Sequence, residues 1–272
     1  MKLVSTVRAV GLGLGLWLFP SLGTCAPTLV YSFGVLNQQA PAEAAAIWNP
    51  LLSYLGRKTG HRFEFRMGAT VKETDRLTAL GHYDFLFSNH VFDPEYDKAG
   101  YRVIAKLADP LVGQILVAEN SPYRQLADLK GQNVAFPSPD AFIAYEVTTQ
   151  ALRRAGIVVT KIFSGNQESS LIQLSMGRTN AASVNKRFAD RYQLKHKIKF
   201  RALYVSDDYP NIPVLVHPRI PVAVMNAVQK VLVDMRTDPE GRRLLENAKS
   251  PGFVFAQDSE YMPTRALYRE PR

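Results

Sequence analysis

The chain has 272 residues, 46% hydrophobic and 10% aromatic, which is enough apolar material for a sizeable core in one large domain or two lobes and excludes a disordered chain. Its formal net charge of +9 points to anionic solutes or an anionic membrane surface, because Lys and Arg are spread along the sequence and do not form the aromatic-interleaved basic stripe that nucleic-acid binding needs. A single cysteine excludes an internal disulfide and a thiolate metal cluster.

The first elements are those of a leader. Lys2 and Arg8 precede an apolar run from Ala9 to Phe19, followed by Pro20, Ser21 and Gly23, the layout of a secretory signal peptide over residues 1–26. The run is too short to cross a bilayer comfortably, so export is expected. Its "GLGLGL" imitates a phosphate-binding glycine loop but lacks the flanking strand and helix. Cys25 ends "LGTC", which resembles a loose bacterial lipobox with an atypical Thr24, so soluble secretion leads and a lipid anchor at Cys25 is the alternative.

"TLVYSFGV" (28–35) reads as a strand, followed by a helix from Pro41 to Lys58 with Ile47, Leu51 and Leu55 on one face and Pro50 expected to kink or split it. "HRFEFRM" alternates as a half-buried strand does, and "TVKE" (70–73) is a capping-box signature for a helix ending near Gly81. "DFLF", "YRVIAKLA" and "GQILVAE" are further strands, and residues 109–112 between the last two form a first crossover. The pattern then restarts: strand 134–136, helix 141–154 stopped by Gly156, strand 158–163, helix 167–176 stopped by Gly177, strand "AASV" and a basic helix 186–194. "KHKIKFR" (195–201) reads as a solvated helix end leading into a strand. "FRALYVS" and "IPVLVHP" flank "DDYPN", the second crossover, and helices 222–236 and 239–248 close the chain.

This alternation predicts an α/β protein of two lobes, each a mostly parallel sheet flanked by helices, joined at two hinge crossovers. Residues 27–110 and 212–272 form the first lobe and 111–211 the second. Ligands of open α/β sheets sit beyond the carboxyl ends of strands, so the groove between the lobes is the expected site.

"WNPLLSYLGRKTG" (48–60), "LTALGHYDFLF" (77–87), "LADLKGQNVAF" (126–136), "FSGNQESSLIQLSMGRTNAASVN" (163–185) and "IPVLVHPRIP" with "TDPEGRRLL" resemble, in order, the phosphate, phosphite and phosphonate substrate-binding proteins of bacterial ABC transporters. The resemblance implies a periplasmic binding protein that captures a small oxyanion between lobes, without cofactor, and delivers it to a membrane permease, working as a monomer. It also implies a Ser/Thr-rich turn at the start of the second lobe's helix. Here Ser138 and Asp140 precede Ala141, Phe142 and Ile143, none of which donates a hydrogen bond from its side chain. Losing such bonds, each worth roughly 1.5–3 kcal/mol to a charged group, predicts a ligand with fewer negative charges and more apolar surface, held partly by backbone N–H groups of the helix start. Gln167 stands nearest to a histidine of the family pattern. On the first lobe Asn89 and His90 face the cleft, with Phe92 and Tyr96 as aromatic walls.

His90 reads equally as a surface histidine, Asn185 equally as a ligand contact and as a helix N-cap, and Asp140 more readily as a cap than as a binding group. The five histidines show no HExxH spacing and there is no G-x-S-x-G, so no enzyme is expected; the adjacent Asp207 and Asp208 read as a solvated pair. No metal site is expected. A ligand-sensing partner of a membrane histidine kinase is the alternative role on the same fold.

Overall fold

The structure, a computed structural model, describes residues 29–37, 40–89, 92 and 94–269. The leader, Cys25 and His90 lie outside the described residues.

Strands β1 (Val30–Val35), β2 (Arg62–Arg66), β3 (Phe85–Phe87), β4 (Arg102–Leu107), β10 (Pro213–Val216) and β11 (Phe253–Phe255) form a six-stranded sheet in the order β11-β4-β10-β3-β1-β2. Strands β5 (Gly113–Ala118), β6 (Asn133–Phe136), β7 (Thr160–Phe163), β8 (Ala181–Asn185) and β9 (Phe200–Val205) form a five-stranded sheet in the order β7-β6-β8-β5-β9. The chain passes from the first sheet to the second between β4 and β5 and returns between β9 and β10.

Side-chain alternation distributes the cores. Phe33, Phe85 and Phe87 enter one layer of the first sheet with Trp48 and Leu51 of α1 (Pro41–Thr59), Val228 of α6 (Val222–Asp234) and Leu245 of α7 (Pro239–Asn247), whereas Leu86 faces the opposite layer with Leu267 of α8 (Met262–Arg269). In the second sheet Ile115, Val117 and Phe136 pack with Leu152 of α3 (Val147–Arg154). Leu116 and Val184 face the other way, onto Leu171 of α4 (Gln167–Ser175) and Tyr192 of α5 (Lys186–His196).

The sheets are mixed, not mostly parallel. β1–β2, β1–β3, β6–β7 and β6–β8 pair parallel, and the other five pairings are antiparallel. The reason is covalent: β4 passes to β5 and β9 to β10 with no helix between, and a parallel neighbour needs a long crossover. The strands serving the crossovers therefore run against their neighbours.

α1 starts with Pro41 and runs unbroken through Pro50 to Gly60, whose φ of 74° closes it. The Thr70 hydroxyl accepts the Glu73 N–H at 3.2 Å to open α2 (Val71–Ala79), while the Glu73 carboxylate accepts from Ala69, one residue earlier than a standard box. β11 and α8 have no counterpart in the sequence reading. Three residues are too few for alternation to register, and the eight residues of α8 give only about two helical turns in which a period can show. The helix expected from Ala141 begins instead as a π-turn over Phe142–Glu146 that continues into α3.

α7 is capped by Asp238, which accepts from Glu240 and Gly241 at 3.0 and 2.9 Å and pairs with Lys58 at 2.8 Å. The Lys58 hydrogen bond, then the Gly241 N–H, hold its carboxyl down at about 2. A carboxyl depressed in the folded state adds stability that is fully present above its unfolded value and disappears as pH falls through the folded one. Thermal unfolding between pH 5 and pH 2 is accordingly expected to fall more steeply for the parent than for Asp238→Asn, with the difference confined to below about pH 4. Parallel curves across that range would show that the cap is not formed.

Candidate functional site

The two crossovers touch each other. Leu111 and Tyr209 exchange both backbone hydrogen bonds at 2.9 Å, Asn211 donates to the Asp109 carbonyl at 2.9 Å, and the Tyr261 hydroxyl donates to the Asn211 carbonyl. Burial drives the Tyr261 phenol far above its usual range, so it stays a donor at every working pH. Gly113, the first residue of β5, is fixed by Ser206 on both sides, its N–H donating to the hydroxyl at 2.9 Å and its carbonyl accepting at 2.8 Å. Arg187 of α5 forms an ion pair with Asp109, tying the second sheet's helix layer to the first crossover.

One flank of the space between the sheets is filled. Phe142 of the π-turn is 6% exposed, lies 4.9 Å from Phe92 and meets Tyr209 edge-on at 5.5 Å; Phe92 in turn stacks on Tyr261 at 5.6 Å. Ile143, Ala144 and Val147 of the second lobe belong to the same cluster as Tyr83, Leu86, Leu215 and Leu267 of the first. At the turn expected to grip an anion, the ring of Phe142 is therefore engaged by protein. No side chain caps this turn, so the cap role expected for Asp140 is not realised. Ser138 is half-exposed just before it, with its carbonyl 3.4 Å from the Ala141 N–H, and Ala141 packs at the edge of the aromatic cluster.

The other flank is open. A groove of about 630 Å³ runs between the end of α7 and α1 on one side and the starts of α4 and α5 on the other. Trp48, Phe87 and Phe253 form its apolar wall on the first lobe, and Phe188 faces it from the second. Gln167 and Asn185 line it together: the Gln167 side-chain carbonyl accepts the Asn185 N–H at 2.7 Å, and the Asn185 side chain caps α5 by accepting the Phe188 N–H at 3.3 Å. Asn185 is thus both an N-cap and a groove residue. Asp140 lines a separate 200 Å³ depression with Tyr145, Glu146 and Lys161, and half-buried Asn89 lies before Phe92, to which its carbonyl is hydrogen-bonded. Of the sequence-expected residues, the structure unites Gln167 with Asn185 and Ala141 with Phe142.

Three groove cations escaped the sequence reading. Arg187 is neutralised by Asp109, but Arg191 approaches from the second lobe and Lys249 from the first, across a floor of Trp48 and Phe87. Lys249 follows α7 with φ 51°, the left-handed conformation usually given to glycine, and its N–H bonds to the Glu246 carbonyl. These cations come from two segments distant in sequence, α5 and the end of α7, so no local spacing joins them; Lys249 shares its left-handed conformation with Lys197 at the end of α5. Among the described residues no His, Cys, Asp or Glu cluster gathers to hold a metal.

Two helix-flanked sheets joined by a paired crossover, with a groove between them, define a two-lobed solute-binding protein. The chain belongs to the phosphonate-binding family: the description "ABC transporter, phosphonate, periplasmic substrate-binding protein" matches residues 33–261. Its role is solute capture for an ABC transporter, which implies a small-molecule ligand and a membrane permease. Members of the family are exported to the periplasm and serve transport, not turnover. No curated protein sequence matches the chain.

Solved structures share the fold at low identity. The binding-protein component of an ABC phosphonate transporter from Pseudomonas aeruginosa has a TM-score of 0.66 at 15% identity, covering 88% of this chain and 85% of that one. XAC2383 from Xanthomonas citri, solved with ATP, has a TM-score of 0.71 at 15% identity, covering 88% and 96%. PhnD1 from Prochlorococcus marinus, solved with methylphosphonate, has a TM-score of 0.68 at 13% identity, covering 88% and 97%.

Proposed function

We propose that the solute is a small organic anion of low charge with an apolar body, held in the open groove by Arg191, Lys249, Gln167 and Asn185 against Trp48 and Phe87. The observation that carries this reading is the Phe142 ring buried on Phe92 and Tyr209, which leaves no hydroxylated turn for a dianion, beside a groove whose cations face an aromatic wall. A carboxylate or sulfonate head would sit between the two cations, and the apolar body would displace water from the Trp48 face. The lobes divide at 110/111 and 211/212, and the leader ends either at residue 26, leaving a soluble monomer, or at residue 24, leaving a form lipidated at Cys25. The chain acts by binding alone, and of the residues expected from sequence only Gln167 and Asn185 contact the solute.

Native mass spectrometry of gently purified protein should release such an anion. Calorimetry with an aromatic carboxylate and with methylphosphonate should then favour the carboxylate. Arg191→Ala should weaken that binding by about 10- to 100-fold, the value of one charge-assisted hydrogen bond, while Ser138→Ala leaves it unchanged. Lys249→Gly should weaken binding similarly yet raise stability by up to about 1 kcal/mol, because glycine relieves the left-handed backbone. Micromolar or tighter methylphosphonate binding, or indifference to Arg191→Ala, would refute the reading.

A further inference from the structure

We propose that the end of the second sheet remote from the groove is a docking surface for anionic lipid headgroups. β6 and β8 point their carboxyl ends toward the groove and β5 runs away from it, so the turns around residues 119–123, 130–133, 155–159, 176–180 and 194–199 gather at the opposite end. Hydrogen bonds tie these turns into one face. Gly131 donates to the Val158 carbonyl at 2.7 Å and Asn180 to the Asn133 carbonyl at 2.8 Å; the Asn180 side chain reaches the Tyr123 hydroxyl at 3.0 Å, and Arg201 holds the Tyr123 carbonyl at 2.6 Å.

The face is basic. Lys130, Arg154, Arg178, Lys195, Lys197 and Lys199 are exposed on it. The acidic residue in these turns is Glu119; Asp128 stands two residues before Lys130, and its carboxylate is occupied by the backbone N–H groups of Arg124 and Gln125 at 2.7 and 3.1 Å. Three apolar side chains protrude among these cations: Leu194 is 82% exposed, Val158 76% and Met176 57%, each at or just beyond the carboxyl end of a helix. One exposed apolar residue is ordinary, but three on a cationic face is the composition that meets a membrane, with cations on phosphates and apolar tips between headgroups. Protruding tips suit a surface that yields more than they suit a rigid acidic protein. Because the face lies at the far end of the strands, docking leaves the groove accessible.

The test is flotation of the full chain with phosphatidylcholine vesicles containing one-quarter phosphatidylglycerol, against pure phosphatidylcholine. The triple variant Lys195→Gln, Lys197→Gln, Lys199→Gln should lower partitioning into the anionic vesicles on the order of a hundredfold, roughly fivefold per lysine. Leu194→Ser should remove binding that persists when salt screens the cations. The apolar segment 9–19 is common to all these chains, so only the difference between them reads the face. Since all four positions are exposed, melting temperatures should match the parent; if a variant fails to fold, loss of parent binding on raising salt reads the same electrostatic contribution. Equal partitioning of parent and triple variant overturns the proposal. So does lysine-dependent retention on an acidic polypeptide resin without any lysine-dependent binding to vesicles.

Discussion

Phe142→Ala is expected to lower the unfolding free energy by about 3–5 kcal/mol, the range for removing a buried aromatic ring. Phe142 is 6% exposed and in ring contact with Phe92 and Tyr209, and such contacts add roughly 0.5–1.5 kcal/mol beyond the buried area. The cluster contains residues of both lobes, so the variant should also loosen their apposition, raising the radius of gyration measured by small-angle scattering. Phe142→Leu, which keeps most of the volume, should cost less than about 1.5 kcal/mol. Denaturant titration of the three proteins decides the matter. A loss below about 1 kcal/mol for the alanine variant would mean that the ring does not bridge the lobes in solution.

Gly113→Ala is expected to cost about 3 kcal/mol, the upper end of the roughly 1–3 kcal/mol typical of overpacking. A Cβ there would lie 2.4 Å from the Ile143 carbonyl oxygen and 3.2 Å from the Thr148 methyl. The backbone cannot retreat, because Ser206 holds it from both its N–H and its carbonyl. The displaced neighbour is the π-turn that carries Phe142, so the methyl group should disturb the aromatic cluster as well. Gly131→Ala is the control: its φ of 74° strains alanine by about 1–2 kcal/mol, but nothing lies within 4 Å of the added carbon. A Gly113 variant no less stable than the Gly131 variant would refute the close approach.

Most of the architecture could be read from local pattern, because alternation in "HRFEFRM", buried runs such as "DFLF", and helix stops at Gly81, Gly156 and Gly177 all act within a few residues. What escaped depends on distant partners. Strand direction in the mixed sheets follows from where the chain returns, and β11 exists only because β4 offers it an edge. Ala141, Phe142 and Ile143 announced that a hydroxylated turn was missing, yet nothing local says that Phe92, Tyr209 and Tyr261 occupy the space. Asn185 was legible as a helix N-cap or contact at the cleft edge, and Gln167 only through its place in the family pattern. Arg191 and Lys249 were not, since solvent-exposed cations on helices are the default and only the packing of α7 against α1 turns Lys249 toward the groove.

The chain enters the second sheet at Leu111 and leaves it at Tyr209, and those two residues are backbone partners. Everything between them is in effect a cassette whose two ends meet at one point. Exchange of that whole segment with a relative needs only two cuts, at positions already in register, so half of the pocket changes in one recombination event while the Phe33, Phe85 and Trp48 layer is preserved and only the aromatic cluster around Phe142 has to be matched again.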